Sequence, residues 1–103
     1  MLNQIVLVGR IADLKSNSNK ESGKTSSTLT LACSRSYKNI DGIYETDLLK
    51  IELYNGLAQN TAEYCKKGDL VGIKGRVETI KNKMVIIADK LTFLSSRKES
   101  DGE

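Results

Sequence analysis

Five segments of alternating apolar and polar residues predict an all-β chain folded as a small, closed or partly open Greek-key barrel. One short helical segment lies between the third and fourth of them, and turn-forming residues mark the junctions. The pattern is clearest from Leu48 to Val77. Leu49, Ile51 and Leu53 alternate with Leu48, Lys50, Glu52 and Tyr54, the period of a half-buried third strand. Asn55-Gly56 breaks that strand, and Asn55 can cap the helical segment after it. Leu57–Lys67 then carries Leu57, Ala58, Thr61, Ala62, Tyr64 and Cys65 at helical spacing, with Lys66 and Lys67 in the last turn and Gly68 as the stop. Val71, Ile73 and Val77 resume the alternation as the fourth strand, with Gly72, Lys74, Arg76 and Glu78 on its other face.

The flanking segments complete the barrel. Asn3–Ile11 is the first strand and is apolar on both faces: Ile5, Leu7 and Ile11 point one way, Val6 and Val8 the other. The second face needs cover, from another subunit or from a local loop and the closure of the barrel itself. Ala12–Ser27 is polar and reads as a long, mobile hairpin connection. Thr28–Ser36 is the second strand, with Leu29, Leu31 and Cys33 inward. Strict alternation would bury Arg35, so a bulge or strand end is expected near Ser34. Tyr37–Gly42 forms a turn with Asp41-Gly42 as its hairpin signal, and Ile43–Asp47 leads into the third strand. Ile80–Lys83 is a short basic turn. Met84–Leu94 is the fifth strand, with Val85, Ile87, Leu91 and Phe93 as its core side and a kink at Ala88-Asp89. Residues 1–95 form the domain and 96–103 a short disordered tail. Five strands with a helix between the third and fourth match the order of the OB-fold. An SH3-like barrel is the alternative, against which the helix in this place argues.

At 103 residues the chain has room for one core. It contains no Pro, Trp or His. The absent His removes the commonest general base and metal ligand, and Cys33 with Cys65 cannot make a zinc site. No spacing pairs a nucleophile with a base, so neither an enzyme, a metal, a cofactor nor a small-molecule substrate is expected. The two cysteines read as reduced core thiols in cytoplasm. No apolar run spans a bilayer, and the N-terminus lacks the marks of an export signal. Charge is uneven: residues 1–40 carry six Lys/Arg against two acids, 41–64 one against five, and 65–98 nine against three. Such asymmetry fits a polyanion partner, or an ordinary solvated surface. The outward rows Leu48, Lys50, Glu52, Tyr54 and Gly72, Lys74, Arg76, Glu78 place an aromatic beside cations. Single-stranded nucleic acid needs that combination, because bases stack on flat side chains while Lys and Arg meet the phosphates.

MLNQIVLVGR, TLTLACSRSY and LAQNTAEYCKKGDLVGIKGR, with LVGR at Leu7–Arg10 and the pattern AxNxxxYxxKGxLVxIxGR from Ala58 to Arg76, resemble the bacterial single-stranded DNA-binding protein family from Met1 to about Lys81, and more weakly to Phe93. The short length is similar to that of the family's smaller paralogues. The resemblance implies an OB-fold that binds single-stranded DNA without sequence preference in replication, recombination, repair or DNA uptake. It also implies homo-oligomers paired through the first strand, tetramers rather than dimers, and a nucleoid-associated protein. Tyr37 and Tyr54 match two stacking aromatics of the family. Leu48 stands at a third stacking position and is not aromatic, and the fourth falls near Asn82, where no aromatic stands. Lys50 and Lys81 match basic positions, whereas Glu78 and Ile80 stand where arginines are frequent. Arg10, Arg35, Lys74 and Arg76 are further phosphate contacts by charge and register. The hairpin between the fourth and fifth strands is shorter than usual in the family, and its acidic tail with an amphipathic tip is not expected here. The alternative within the same superfamily is a primosomal-type module that recruits a replication protein, with DNA contact secondary.

Overall fold

The computed structural model describes residues 2–19 and 24–96. Its elements are β1 (Ile5–Asn19), β2 (Lys24–Lys38), β3 (Tyr44–Tyr54), α1 (Asn55–Tyr64), β4 (Leu70–Ile80) and β5 (Lys83–Ser95). The strands close into a barrel in the order β1-β2-β3-β5-β4, and β4 pairs back onto β1. All neighbours are antiparallel except β3 and β5, which run parallel because the chain passes through α1 and the β4–β5 hairpin between them. This is the OB-fold arrangement expected from the order of segments.

The inward residues of each strand meet in one core: Ile11, Leu29, Leu31, Ile51, Leu53, Val71, Ile73 and Ala88, with Ala58 of α1 against them. The alternation read in the sequence places the members from β1 to β4 correctly, and burying the whole set out of water drives closure. The bulge expected near Ser34 is present as a register shift between Ser34 and Lys38. It releases Arg35 to a half-exposed position and leaves Tyr37 exposed. The basic turn is a two-residue hairpin in which Lys81 (φ 51°) and Asn82 (φ 64°) are both left-handed.

Several expectations are corrected. Ala12–Ser27 is not a loose connection: β1 and β2 stay paired out to Asn19↔Lys24, with one irregularity between Ile11 and Asp13. Ladder hydrogen bonds do not require apolar side chains, and Leu14, opposite Leu29, still packs on the core. Residues 20–23 of that segment lie outside the described residues, as do residues 97–103 of the expected tail.

The helix ends at Tyr64, not Lys67, and Cys65 is extended (φ −120°, ψ 151°). The cause lies in the hydrogen bonds of residues 66–69. The Lys66 amide donates to Asp69 Oδ2 (2.9 Å), the Gly68 amide to the Ile11 carbonyl (2.8 Å), and the Ile11 amide to the Asp69 carbonyl (2.9 Å). These bonds tie the segment to β1 and draw the chain out of the helix. Tyr64 is exposed and does not belong to the helix's buried side. At the other end Asn55 does not cap with its side chain. It takes the left-handed conformation (φ 54°) that Asn tolerates and swings the chain from β3 into α1.

The kink at Ala88-Asp89 is a β-bulge: Gly75 faces Ala88 and Lys74 faces Lys90, which leaves Asp89 as the extra residue. One extra residue reverses which side chains point inward. Leu91 packs on the core after the bulge, but Ile86 and Ala88 do so before it, in place of Val85 and Ile87. Ile87 is buried outside the core cluster, in the cross-strand row Glu52–Ile87–Arg76. Phe93, expected in the core, is half exposed at the barrel end near α1.

Candidate nucleic-acid interface

Register defines the outer face of β1, β2 and β3. Residues directly opposite on paired strands share a face, so its rows are Arg10–Ala32–Leu48, Asp13–Thr30–Lys50, Lys15–Thr28–Glu52, and Ser26 beside Tyr54. Leu48 is 65% exposed and Tyr54 41%. Lys50, between them, is exposed and has no ion-pair partner among the described residues. Arg10 Nη1 donates to the Gly68 carbonyl at 2.9 Å. That bond orients the guanidinium with a neutral carbonyl and uses one of its five N–H donors. The Thr28 hydroxyl donates to the Glu52 carboxylate (3.1 Å), so the next row carries a fixed acid.

The other sites expected from the sequence divide. Tyr37, 62% exposed, stands just inside Lys38 at the end of β2. Lys81 is exposed at the tip of the β4–β5 hairpin. Lys74 lies between Val6 of β1 and Lys90 of β5, and so belongs to a different patch. There Val6 and Val8 are exposed, and the Leu94 side chain comes closest to Gly72.

Arg35 and Arg76 are already occupied. Arg35 holds Asp47 through Nη2 (2.9 Å) and Nε (3.1 Å), and Glu45 through Nη1 (3.0 Å). The hydrogen bond to Asp47 raises the Arg35 guanidinium well above its ordinary value, and the same bond holds the Asp47 carboxyl below the usual range. Arg76 Nε donates to Glu78 (2.6 Å) and Nη1 to Asp89 of the bulge. The Glu78 bond is the main reason its charge is held more firmly than usual. These two arginines fasten the base of the β2–β3 hairpin and the β5 bulge, and a phosphate must compete with two carboxylates for each.

The alternation read in the sequence ended the outward row of β3 at Leu48. The strand begins at Tyr44, which adds Thr46 and Tyr44 to that row. The parity of Tyr44, four residues before Leu48 and ten before Tyr54, was the available signal. Among the described residues no three His, Cys, Asp or Glu side chains gather to hold a metal. No helix there is long and apolar enough to cross a membrane. Burial raises both cysteine thiols above their ordinary pKa, and both are free.

The strand order and the helix between β3 and β4 define an OB-fold protein with exposed tyrosines and cations on its outer face. The model of the single-strand binding protein family matches residues 2–93. Single-stranded DNA-binding protein B of Bacillus subtilis is 44% identical over 82 residues, which span 77% of this chain and 70% of that protein. The single-stranded DNA-binding protein of Streptococcus mutans is 34% identical across 100% of this chain and 68% of its own length. A crystal structure of a deletion mutant of the single-stranded DNA binding protein from Thermus aquaticus superposes with a TM-score of 0.72 at 21% identity. It covers 94% of this chain and 52% of that one, so this chain spans about half of that protein and shares its fold. The chain belongs to the single-strand binding protein family.

Proposed function

We propose that the chain binds single-stranded DNA without sequence preference, by base stacking on Tyr37 and Tyr54 and by phosphate contacts to Arg10, Lys50 and Lys81. The observation that carries this reading is the exposed face on which Arg10 and Leu48 share one register row, Lys50 stands in the next, and Tyr54 follows beyond the Glu52 row. Leu48 offers a base an apolar surface but no ring. Lys74 contributes from the neighbouring patch. Arg35 and Arg76 contribute less, because each must first leave its carboxylates.

The exposed Val6 and Val8 on β1 support assembly through that strand, a second copy covering the apolar strip, with the tetramer as the favoured state. A cytoplasmic, nucleoid-associated protein follows from this function, and so does a role in replication, recombination, repair or DNA uptake.

Titration with oligo-dT, followed by tyrosine emission at two salt concentrations, tests the reading. Affinity should fall as salt rises. The double substitution Tyr37→Ala, Tyr54→Ala should weaken binding by roughly 1–3 kcal/mol per lost platform while leaving the oligomer intact. Absence of binding at low salt, or an affinity indifferent to salt, sinks it.

A further inference from the structure

The β2–β3 hairpin beyond the barrel has two unlike faces. One bears the Arg35–Glu45–Asp47 ion pairs. The other continues the outward row of β3 past Leu48 to Thr46 and Tyr44, since alternate residues of a strand share a face. Tyr44 is 55% exposed. Lys38 lies opposite it across the ladder, and the Lys38 ammonium sits 5.6 Å from the centroid of the Tyr44 ring.

We propose that Tyr44 and Lys38 form a further base-and-phosphate subsite, in which a base stacks on the ring face that Lys38 leaves open and the ammonium meets the adjoining phosphate. This subsite rests on the reading that the outer face of β3 binds single strands. It extends the stacking row beyond Leu48, the position where an aromatic is wanting.

Three features favour the assignment. First, the row from Tyr44 through Thr46 and Leu48 to Lys50 contains no acid, because Glu45 and Asp47 alternate onto the other face, where Arg35 neutralises them. Second, the hairpin is pre-ordered. Asn39 Oδ1 accepts from the Asp41 and Ile43 amides (2.9 and 3.0 Å), the Asn39 amide donates to the Ile43 carbonyl (2.8 Å), and Gly42 takes the left-handed turn position (φ 78°). Binding there has little loop ordering to overcome. Third, a lysine at cation–π distance covers one face of a ring only. Tyr44 is 55% exposed, so ring surface remains for a base, with the positive charge already beside it.

The test measures binding of a labelled oligo-dT by anisotropy for the full chain and three variants. Tyr44→Ala should weaken binding roughly 5- to 150-fold, and Tyr44→Phe should bind as the parent does. Lys38→Ala should flatten the slope of log affinity against log salt by about 0.7, one single-strand phosphate. Because the chain has no Trp, a fourth variant, Tyr44→Trp, supplies a local reporter whose emission should be quenched by the oligonucleotide. That variant decides the matter even if Tyr44→Ala folds poorly. Parent-like binding by Tyr44→Ala, or unquenched emission from a Tyr44→Trp variant that binds, overturns the subsite while the single-strand reading stands. Failure of the parent itself to bind overturns both.

Discussion

Replacing Gly75 with alanine places a methyl group where the barrel has no room for one. An ideal Cβ at Gly75 lies 2.1 Å from the Ile87 carbonyl oxygen, 3.0 Å from its carbon and 3.1 Å from the Ala88 Cα. The obstacles are backbone atoms of β5, at the step where the Asp89 bulge begins. No rotamer change relieves the overlap, so β4 and β5 must part by well over an ångström, since contacts to carbon are comfortable only near about 3.5–4.0 Å. Overpacking of this kind costs about 1–3 kcal/mol, and ladder hydrogen bonds lost on either side add about 1 kcal/mol each. A total near 3 kcal/mol corresponds to a fall in Tm of roughly 10–20 °C for a domain of this size. Urea titration by circular dichroism measures it, at one protein concentration because association raises apparent stability. Gly72→Ala is the matched control on the same strand. Its nearest atoms are Leu94 Cδ1 at 3.8 Å and Val8 Cγ2 at 4.0 Å, which is ordinary contact, so its loss should stay within about 0.5 kcal/mol. If Gly75→Ala is as stable as Gly72→Ala, the close approach of β4 to β5 does not determine what that position accepts.

Two other outcomes are expected. Arg35→Gln should raise the Asp47 pKa toward its ordinary value of 3.8, read by carboxyl NMR titration. Because Asp47 is held low in the folded chain, the stability it lends is present above that ordinary value and is lost as pH falls through the depressed one. The variant should lose this acid-side dependence, and an unmoved Asp47 titration refutes the pair. Val8→Glu, on the exposed apolar strip of β1, should lower the mass seen by sedimentation while leaving the barrel's circular dichroism unchanged. An unaltered mass removes Val8 from the interface.

Much of the scaffold was legible in local pattern. Leu29, Leu31, Ile51 and Leu53 alternate strictly and are fully buried, because a strand with one wet face allows no other period. The bulge near Ser34 was legible as a conflict, since an unbroken strand would have buried Arg35. The polar β1–β2 hairpin misled, because backbone pairing continues where side chains carry no periodic signal. The candidate site was legible by residue type. Tyr37, Tyr54, Leu48 and Lys50 are exposed as expected, and Tyr44 was missed because β3 was begun too late.

Local pattern was enough for the strand count, the inward residues of β2, β3 and the first half of β4, the helix between β3 and β4, and the membership of the family. Tertiary structure alone decided which cations are available. Arg35 and Arg76 look equivalent to Arg10 and Lys50 along the chain, yet each meets two carboxylates, and one partner of Arg76 comes from a bulge on another strand. Lys74, two residues before Arg76, belongs with Val6 and Lys90. Charge availability depends on neighbours across the sheet, and those follow from register and one extra residue at Asp89, neither of which has a local signature in the arginines themselves.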